Sequence, residues 1–411
     1  MIITSQKLLT LQDDAPPVND GAVVLSRGVI IAVGATEKIL KKHTGRHIYR
    51  LENAVLMPGL INVHTHLELP PLLDAVRATA FPDWVLNLIQ VKRELDMKGY
   101  TIAAKKNVQS LIQSGTTTVG EICTHGVSPG VLKRSGMRAT VYQEIISMDP
   151  SSPISHLPSP VSRPSTNLVR IGLSPHAPHT VSDTALLHIK KLALRKHLRL
   201  CMHVAESKDE IRLLQRKKSR FEKLYRAVGW DTAWAPSTDS PFEYLHTLGL
   251  LNDDFLAVHA VQATDKDISI IKRSHVSVAH CPRSNRETGV GKMPLKKFLD
   301  AGVVVGLGTD SLASSPSLNL WDEMRSAYRI HRSDGVTVKD IFTLATNGGA
   351  KALGMFKMIG SIEPGKRADI IAVPLPKKDT GDIYSDLLRE TKSCIMCVVD
   401  GKILYHDRSA T

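Results

Sequence analysis

The stretch VLMPGLINVHTHLELP, residues 55–70, places two histidines one residue apart at the end of an apolar run. Side chains alternate between faces along a strand, so residues two apart point the same way. If the run leads into a strand, His64 and His66 project in parallel from one face and Thr65 from the other. Two parallel imidazoles can both reach one ion at about 2.0–2.1 Å. An isolated pair of this kind is more often one packed and one solvated histidine, so the rest of the chain has to decide.

Outward from that stretch, short β-branched runs alternate with longer charged segments of helical texture. The runs are GLINVHTH (59–66), TTTVGEI (116–122), RATVYQEI (138–145), LVRIGLSPH (168–176), LRLCMHVAES (198–207), FLAVHA (255–260), VSVAHCP (276–282) and VVVGLGTDS (303–311). Eight apolar runs with helices between them predict an α/β fold, a (β/α)8 TIM-type barrel whose functional residues sit at the C-terminal strand ends. The two ends of the chain read differently. Residues 21–34 form two apolar runs broken at Arg27-Gly28, a hairpin signal, and residues 394–406 repeat that texture around Asp400-Gly401. The expectation is a barrel over 57–359 and a small composite β-sandwich domain built from 1–56 and 360–411. Two irregular stretches, 149–167 and 230–241, are expected to be loops at the barrel mouth that shape a substrate pocket.

Composition narrows the function classes. The 411 residues are 42% hydrophobic and 23% charged, ordinary globular material with enough chain for a large core. The net charge of +13 invites a nucleic-acid reading, but the charge is dispersed. Its densest runs lie at 40–50 and 213–226, the latter mixing in acidic and aromatic residues, and both read as solvated helix faces. We expect neither a nucleic-acid partner nor a membrane: no run of about 18 apolar residues exists and the N-terminus lacks an apolar export signal. Five cysteines make no disulfide framework, and Cys394 and Cys397 lie three apart in a strand-like segment, so a reduced, cytoplasmic setting is expected.

The polar residues that end the runs carry the chemistry. Run one ends in His64 and His66, and run five carries His203 with Glu206 three residues on. Run six ends in His259, run seven in His280 and run eight in Asp310. A barrel brings such ends to one mouth, where imidazoles and a carboxylate suit Zn²⁺ or another borderline ion such as Fe²⁺.

These motifs, PGLINVHTHLE (58–68), SPHAPHTVS (174–182), HVAES (203–207), AHCPRSN (279–285) and GLGTDS (306–311), resemble those of the amidohydrolase superfamily in its mononuclear-metal deaminase and chlorohydrolase branch. The segment from 347 to 373 matches as well, so the likeness spans essentially the whole chain. It implies one divalent ion per chain, zinc before iron, held by His64, His66, His203 and Asp310. It further implies Glu206 as the proton-shuttling acid, His259 as the residue that positions the attacking water, and Asp310 as ligand and proton acceptor. Dinuclear relatives carry a carboxylated lysine on strand four; the corresponding run here has none, which argues for one metal. The alternative for Glu206 is a salt-bridged surface position near Lys208.

Within the branch, residues 64–69, 81–94 and 240–251 look most like the 6-aminodeoxyfutalosine deaminases of menaquinone biosynthesis. Methylthioadenosine/S-adenosylhomocysteine deaminases follow closely. Both remove the 6-amino group of an adenine nucleoside; a chlorohydrolase or cyclic-amidine hydrolase would keep the metal set and change the pocket. The resemblance implies substrate contacts from His176 and Glu206, with Asp83 and Trp84 on the ribose side. Trp84 could equally be core and His176 structural. The family often has Glu beside this Trp, where Asp83 stands. A substrate carboxylate would need a cation, and Arg283, Arg286, Arg77 and Arg93 are the candidates, Arg283 foremost. A small nucleoside is therefore the expected partner, with a homodimer among the expected assemblies.

Overall fold

The computed structural model describes residues 1–12, 15–147, 167–230 and 236–407. Of the two irregular stretches, 149–166 and 231–235 lie outside the described residues.

Among the described residues, fifteen strands divide between two sheets. Eight of them form a parallel sheet in sequence order: β5 (Leu60–Thr65), β6 (Thr116–Cys123), β7 (Arg138–Ile145), β8 (Val169–Pro175), β9 (Leu200–Val204), β10 (Phe255–His259), β11 (Ser277–His280) and β12 (Val305–Leu307). A parallel bridge between Thr65 and Asp310 brings the last strand back to the first, so the barrel is nearly closed. Two glycines permit that closure. A Cβ at Gly306 would lie 2.6 Å from Val63 Cγ1, and one at Gly308 would lie 2.9 Å from His64 Cβ. Any larger residue would push β12 off β5 and separate the ends that carry His64 and Asp310.

Helices cover the barrel. Asp183–Lys196 shows how the sequence sets their ends: Ser182 caps the first turn by accepting from Ala185 N–H, and His197 ends the helix in the left-handed region. Its buried face (Leu186, Ile189, Leu192) joins a large core with Phe298, Trp321 and Phe342. Burying an aromatic or aliphatic side chain of that size contributes roughly 1.5–3 kcal/mol.

The second sheet is mixed and seven-stranded, in the order β15-β14-β13-β4-β1-β2-β3, with β1 (Ile2–Leu8), β2 (Val18–Ser26), β3 (Val29–Ala35) and β4 (Ile48–Pro58) from the N-terminal end. The C-terminal end supplies β13 (Ile370–Pro374), β14 (Met396–Val399) and β15 (Lys402–His406). Arg27 and Gly28 both have positive φ between β2 and β3, and so do Asp400 and Gly401 between β14 and β15. That backbone suits the two-residue turn read from the sequence. A buried bidentate pair joins the units: Arg138 at the start of β7 donates through Nε and Nη2 to Asp369, at 2.6 and 2.9 Å. All five cysteines are buried and unpaired. Among the described residues, no helix is long and apolar enough to cross a membrane.

Candidate metal centre and cavity

The C-terminal ends of four strands converge. The His64 ring centroid lies 5.1 Å from that of His66, 5.0 Å from His203 and 6.0 Å from His259. Asp310 Oδ1 stands 3.6 Å from His64 Nε2 and 3.4 Å from His66 Nε2. Two overlapping triads, His64–His203–His259 and His64–His66–Asp310, each bring one ligand atom per residue within 4.8 Å of the others. His259 therefore shares a triad with His64 and His203.

Hydrogen bonds fix which atom each residue presents. His203 donates through Nδ1 to the His176 carbonyl at 2.9 Å, so its Nε2 carries the free lone pair. His259 donates through Nδ1 to Asn285 Oδ1 at 2.8 Å. Asp310 Oδ2 accepts from the hydroxyls of Ser284 and Ser314, at 2.6 and 2.8 Å, which leaves Oδ1 to face the imidazoles. The backbone is held in unusual shapes here: Ala205, His259, Ala260 and Asp310 all have φ between 46° and 71°. Such left-handed non-glycine residues cost about 1–3 kcal/mol each and cluster at functional sites.

The donor set fits a divalent ion. His64 is fully buried, burial lowers its pKa to about 3, and neither ring nitrogen has a hydrogen-bond partner. Burying an unpaired polar atom is costly, and a metal bond is what relieves that cost at a neutral imidazole. Burial raises the Asp310 carboxyl, and the His64, His66 and His259 imidazoles outweigh it and hold the group well below its ordinary range. His259 is lowered by burial to about 4. Neutral histidines and an ionised aspartate are the ligand forms such an ion requires.

Glu206 is buried rather than on the surface, with Oε1 3.5 Å from His259 Nε2. Burial, then the Asp310 and Glu210 carboxylates, raises its pKa well above the usual carboxylate value. Glu210 fixes its position by accepting from the Ala205 and Glu206 N–H groups at 2.9 and 2.7 Å.

The centre forms the floor of a cavity of about 1060 Å³, counting its open mouth. His176 lines it beside the metal candidates, its ring 5.0 Å from that of His203 and its Nδ1 2.9 Å from Thr180 Oγ1. One wall is the helix Phe81–Lys92, which presents Phe81, Trp84, Val85, Leu88, Ile89 and Lys92. The spacing of three, one, three, one and three is one helical stripe, and it lines the cavity.

That stripe separates two residues expected to act together. Trp84 lies on it, with Nε1 donating to Ala313 O at 3.3 Å. Asp83 is rotated about 100° away, lies off the cavity wall and faces Lys223 at 3.9 Å. Arg283 also lies elsewhere. Its Nε donates to buried Glu323 at 2.6 Å, its Nη1 pairs with Asp322 at 3.2 Å and its Nη2 donates to Ser315 at 2.9 Å. An arginine so fully engaged is a structural ion pair and is not available to a substrate. Arg286 pairs with Glu287 and Arg77 with Asp74, both in exposed positions, and neither these nor Arg93 line the cavity.

Three charged residues of the cavity wall carry no strand-end motif in the sequence: Lys92, Glu144 and Glu210. Lys92 was visible as the last member of the helical stripe. Glu144, at the end of β7, had no spacing signal of its own. His280 turns from the mouth to His331, with 3.2 Å between their Nε2 atoms.

The pattern of the Amidohydrolase family matches residues 55–404. A 5-methylthioadenosine/S-adenosylhomocysteine deaminase from Syntrophobacter fumaroxidans is 29% identical, over 99% of this chain and 93% of its own. A zinc-bound adenosine deaminase from Xanthomonas campestris superposes with a TM-score of 0.83 at 26% identity, over 99% of this chain and 93% of the other. The aminofutalosine deaminase of Helicobacter pylori gives 0.86 at 25% identity, over 98% and 99%.

Proposed function

The chain belongs to the amidohydrolase family, and from that premise we propose that it is a divalent-metal-dependent deaminase that releases the 6-amino group of an adenine nucleoside as ammonia. The reading is carried by one observation: His64, His66, His203 and Asp310 meet on the floor of a nucleoside-sized cavity with Glu206 and His259 beside them. We assign the first four as ligands of one zinc ion, with iron the alternative for the same donor set. Bound there, the ion supplies a Lewis acid that brings the pKa of water from 15.7 to about 7.

The chain's own residues do the rest. Asp310 Oδ1, the oxygen its two serine bonds leave free, is the base that takes a proton from the attacking water. Glu206, whose protonated form burial favours, delivers a proton to the ring nitrogen so that negative charge does not build up during attack. The proton left on the attacking oxygen then passes through the Glu206 carboxylate to the amino group, which leaves as ammonia, and the proton held by Asp310 returns to Glu206. His259, oriented by Asn285, directs Nε2 at the water. His176, with Nδ1 engaged by Thr180, turns Nε2 towards the purine. Trp84 offers a flat apolar face beside it.

The apolar stripe of Phe81, Val85, Leu88 and Ile89 suits a nucleoside with an apolar 5′ group, of the kind named in the methylthioadenosine relative. A second reading, 6-aminodeoxyfutalosine in menaquinone biosynthesis, is favoured by Lys92, the single lysine or arginine on the described cavity wall, which could pair with a benzoate. The test incubates zinc-loaded protein with adenosine, methylthioadenosine, S-adenosylhomocysteine and aminodeoxyfutalosine. The spectral change from adenine to hypoxanthine is followed together with ammonia. Ammonia from none of the four, or chloride from a chlorotriazine instead, overturns the proposal.

A further inference from the structure

We propose that Glu144 recognises the sugar of the nucleoside by accepting hydrogen bonds from its vicinal 2′- and 3′-hydroxyls; the proposal rests on the adenine-nucleoside reading given above. Among the described residues, four carboxylates line the cavity: Glu144, Glu206, Glu210 and Asp310. Three are accounted for. Asp310 faces the imidazoles, Glu206 faces His259, and Glu210 is held by two backbone N–H groups. Glu144 has no part in that arrangement.

Its placement is nonetheless specific. Glu144 is the one residue of β7 that is not fully buried, at the mouth end of the strand. Its Oε2 accepts from Thr124 Oγ1 at 2.7 Å, and among the described residues it enters no ion pair. A carboxylate can accept at about four lone-pair positions, so most of its capacity faces the cavity. Burial raises its pKa, but His176, Lys92 and the Thr124 hydroxyl outweigh that and hold the carboxyl below the ordinary range. It therefore presents acceptors only, and a ligand has to supply donors.

Two features select neutral hydroxyls as those donors. Lys92, on the helix Phe81–Lys92, lines the same cavity as Glu144 and acts on it electrostatically, and its ammonium would repel an ammonium on the ligand. The His176 N–H donates to the carbonyl of Ile145, the residue after Glu144, at 3.0 Å, and His66, His176 and Glu144 line one cavity, which puts the carboxylate beside the end of the cavity where the base would react. The part of a nucleoside joined directly to the base is the sugar, and its cis-diol offers two parallel O–H donors to one carboxylate. An acidic side chain on ribose hydroxyls is a recurrent device in nucleotide sites. The 5′ substituent is then left to the apolar helix stripe, and Asp83, off that stripe, is not needed.

The test compares ligands that differ only in the diol. Zinc-loaded wild type, Glu144→Gln and Glu144→Ala are titrated calorimetrically with inosine and with 2′,3′-dideoxyinosine, products that bind without turnover. The kcat and KM values are measured for adenosine and 2′,3′-dideoxyadenosine. Wild type should prefer the ribose ligand by about 10²-fold, the scale of hydrogen bonds to a charged group. Both variants should lose most of that preference through KM, with kcat and dideoxy binding little changed. An unchanged preference in Glu144→Gln, or an equal loss for both ligands, overturns the proposal. If no adenine nucleoside is deaminated yet inosine binding still depends on Glu144 and the diol, the deaminase reading fails and the sugar contact stands.

Discussion

Asn285 accepts a hydrogen bond from His259, with 2.8 Å between Asn285 Oδ1 and His259 Nδ1. The bond puts the ring proton on Nδ1 and leaves the lone pair on Nε2, the atom 3.5 Å from Glu206. Partners that orient an active-site imidazole are commonly worth about 10–100-fold in activity or metal affinity. Asn285→Ala should lower turnover by that amount while zinc content stays near wild type. Asn285→Asp, which keeps an acceptor, should retain more activity than the alanine variant. Unchanged turnover in Asn285→Ala would show that packing alone orients His259.

The metal assignment predicts about one equivalent of zinc per chain. His203 reaches the centre from β9 and His66 from just beyond β5, so either lost ligand opens a different side. His203→Ala should lose most of the ion, measured by metal analysis after gel filtration. Chelation of the wild type should abolish turnover, and zinc should restore it. Two equivalents, with full activity only at two, would end the mononuclear assignment.

Glu206 is the third test. Glu206→Gln keeps the shape of the side chain and removes its ability to pass a proton. Zinc content should persist while turnover falls by about 10²-fold or more, the usual scale for general acid–base catalysis. Near-normal turnover would move the proton transfer to another residue.

How far the sequence reveals this arrangement depends on the distance over which each signal acts. Period-two alternation is local, so His64 and His66 can be placed on one face from neighbouring residues alone. The hairpins at Arg27-Gly28 and Asp400-Gly401 are local too, since both turns need two positive φ values in a row. Eight ordered apolar runs suffice for the barrel because parallel strands need crossover helices. Asp83 illustrates a different limit. It adjoins Trp84 in sequence, but one helical step rotates it off the cavity wall. The stripe 81, 84, 85, 88, 89 and 92 contains that information and names Lys92 instead. Arg283 shows the limit of long-range pairing, because its charge is evident and its buried partner Glu323 lies 40 positions away. His280 ends a strand as His259 does, and only its contact with His331 tells the two apart.

The last prediction follows from Arg283. Glu323 is fully buried, and burial raises its carboxyl pKa to about 7 even with Arg283 against it. Arg283 also holds Ser315 and the Asp322 carboxylate at the edge of the loop that follows Asp310. Removing one member of a buried pair leaves the other uncompensated, which typically costs about 3–5 kcal/mol. Arg283→Met should therefore lower the thermal midpoint strongly. Arg283→Met with Glu323→Leu should recover part of the loss, because two apolar side chains leave no buried charge unpaired. The substrate profile is the discriminating measurement. A structural pair predicts that the variants change kcat/KM for methylthioadenosine and aminodeoxyfutalosine by the same factor. A selective loss on aminodeoxyfutalosine would mean that the guanidinium reaches the substrate after all, and that the loop between Asp310 and Leu320 rearranges when the cavity fills.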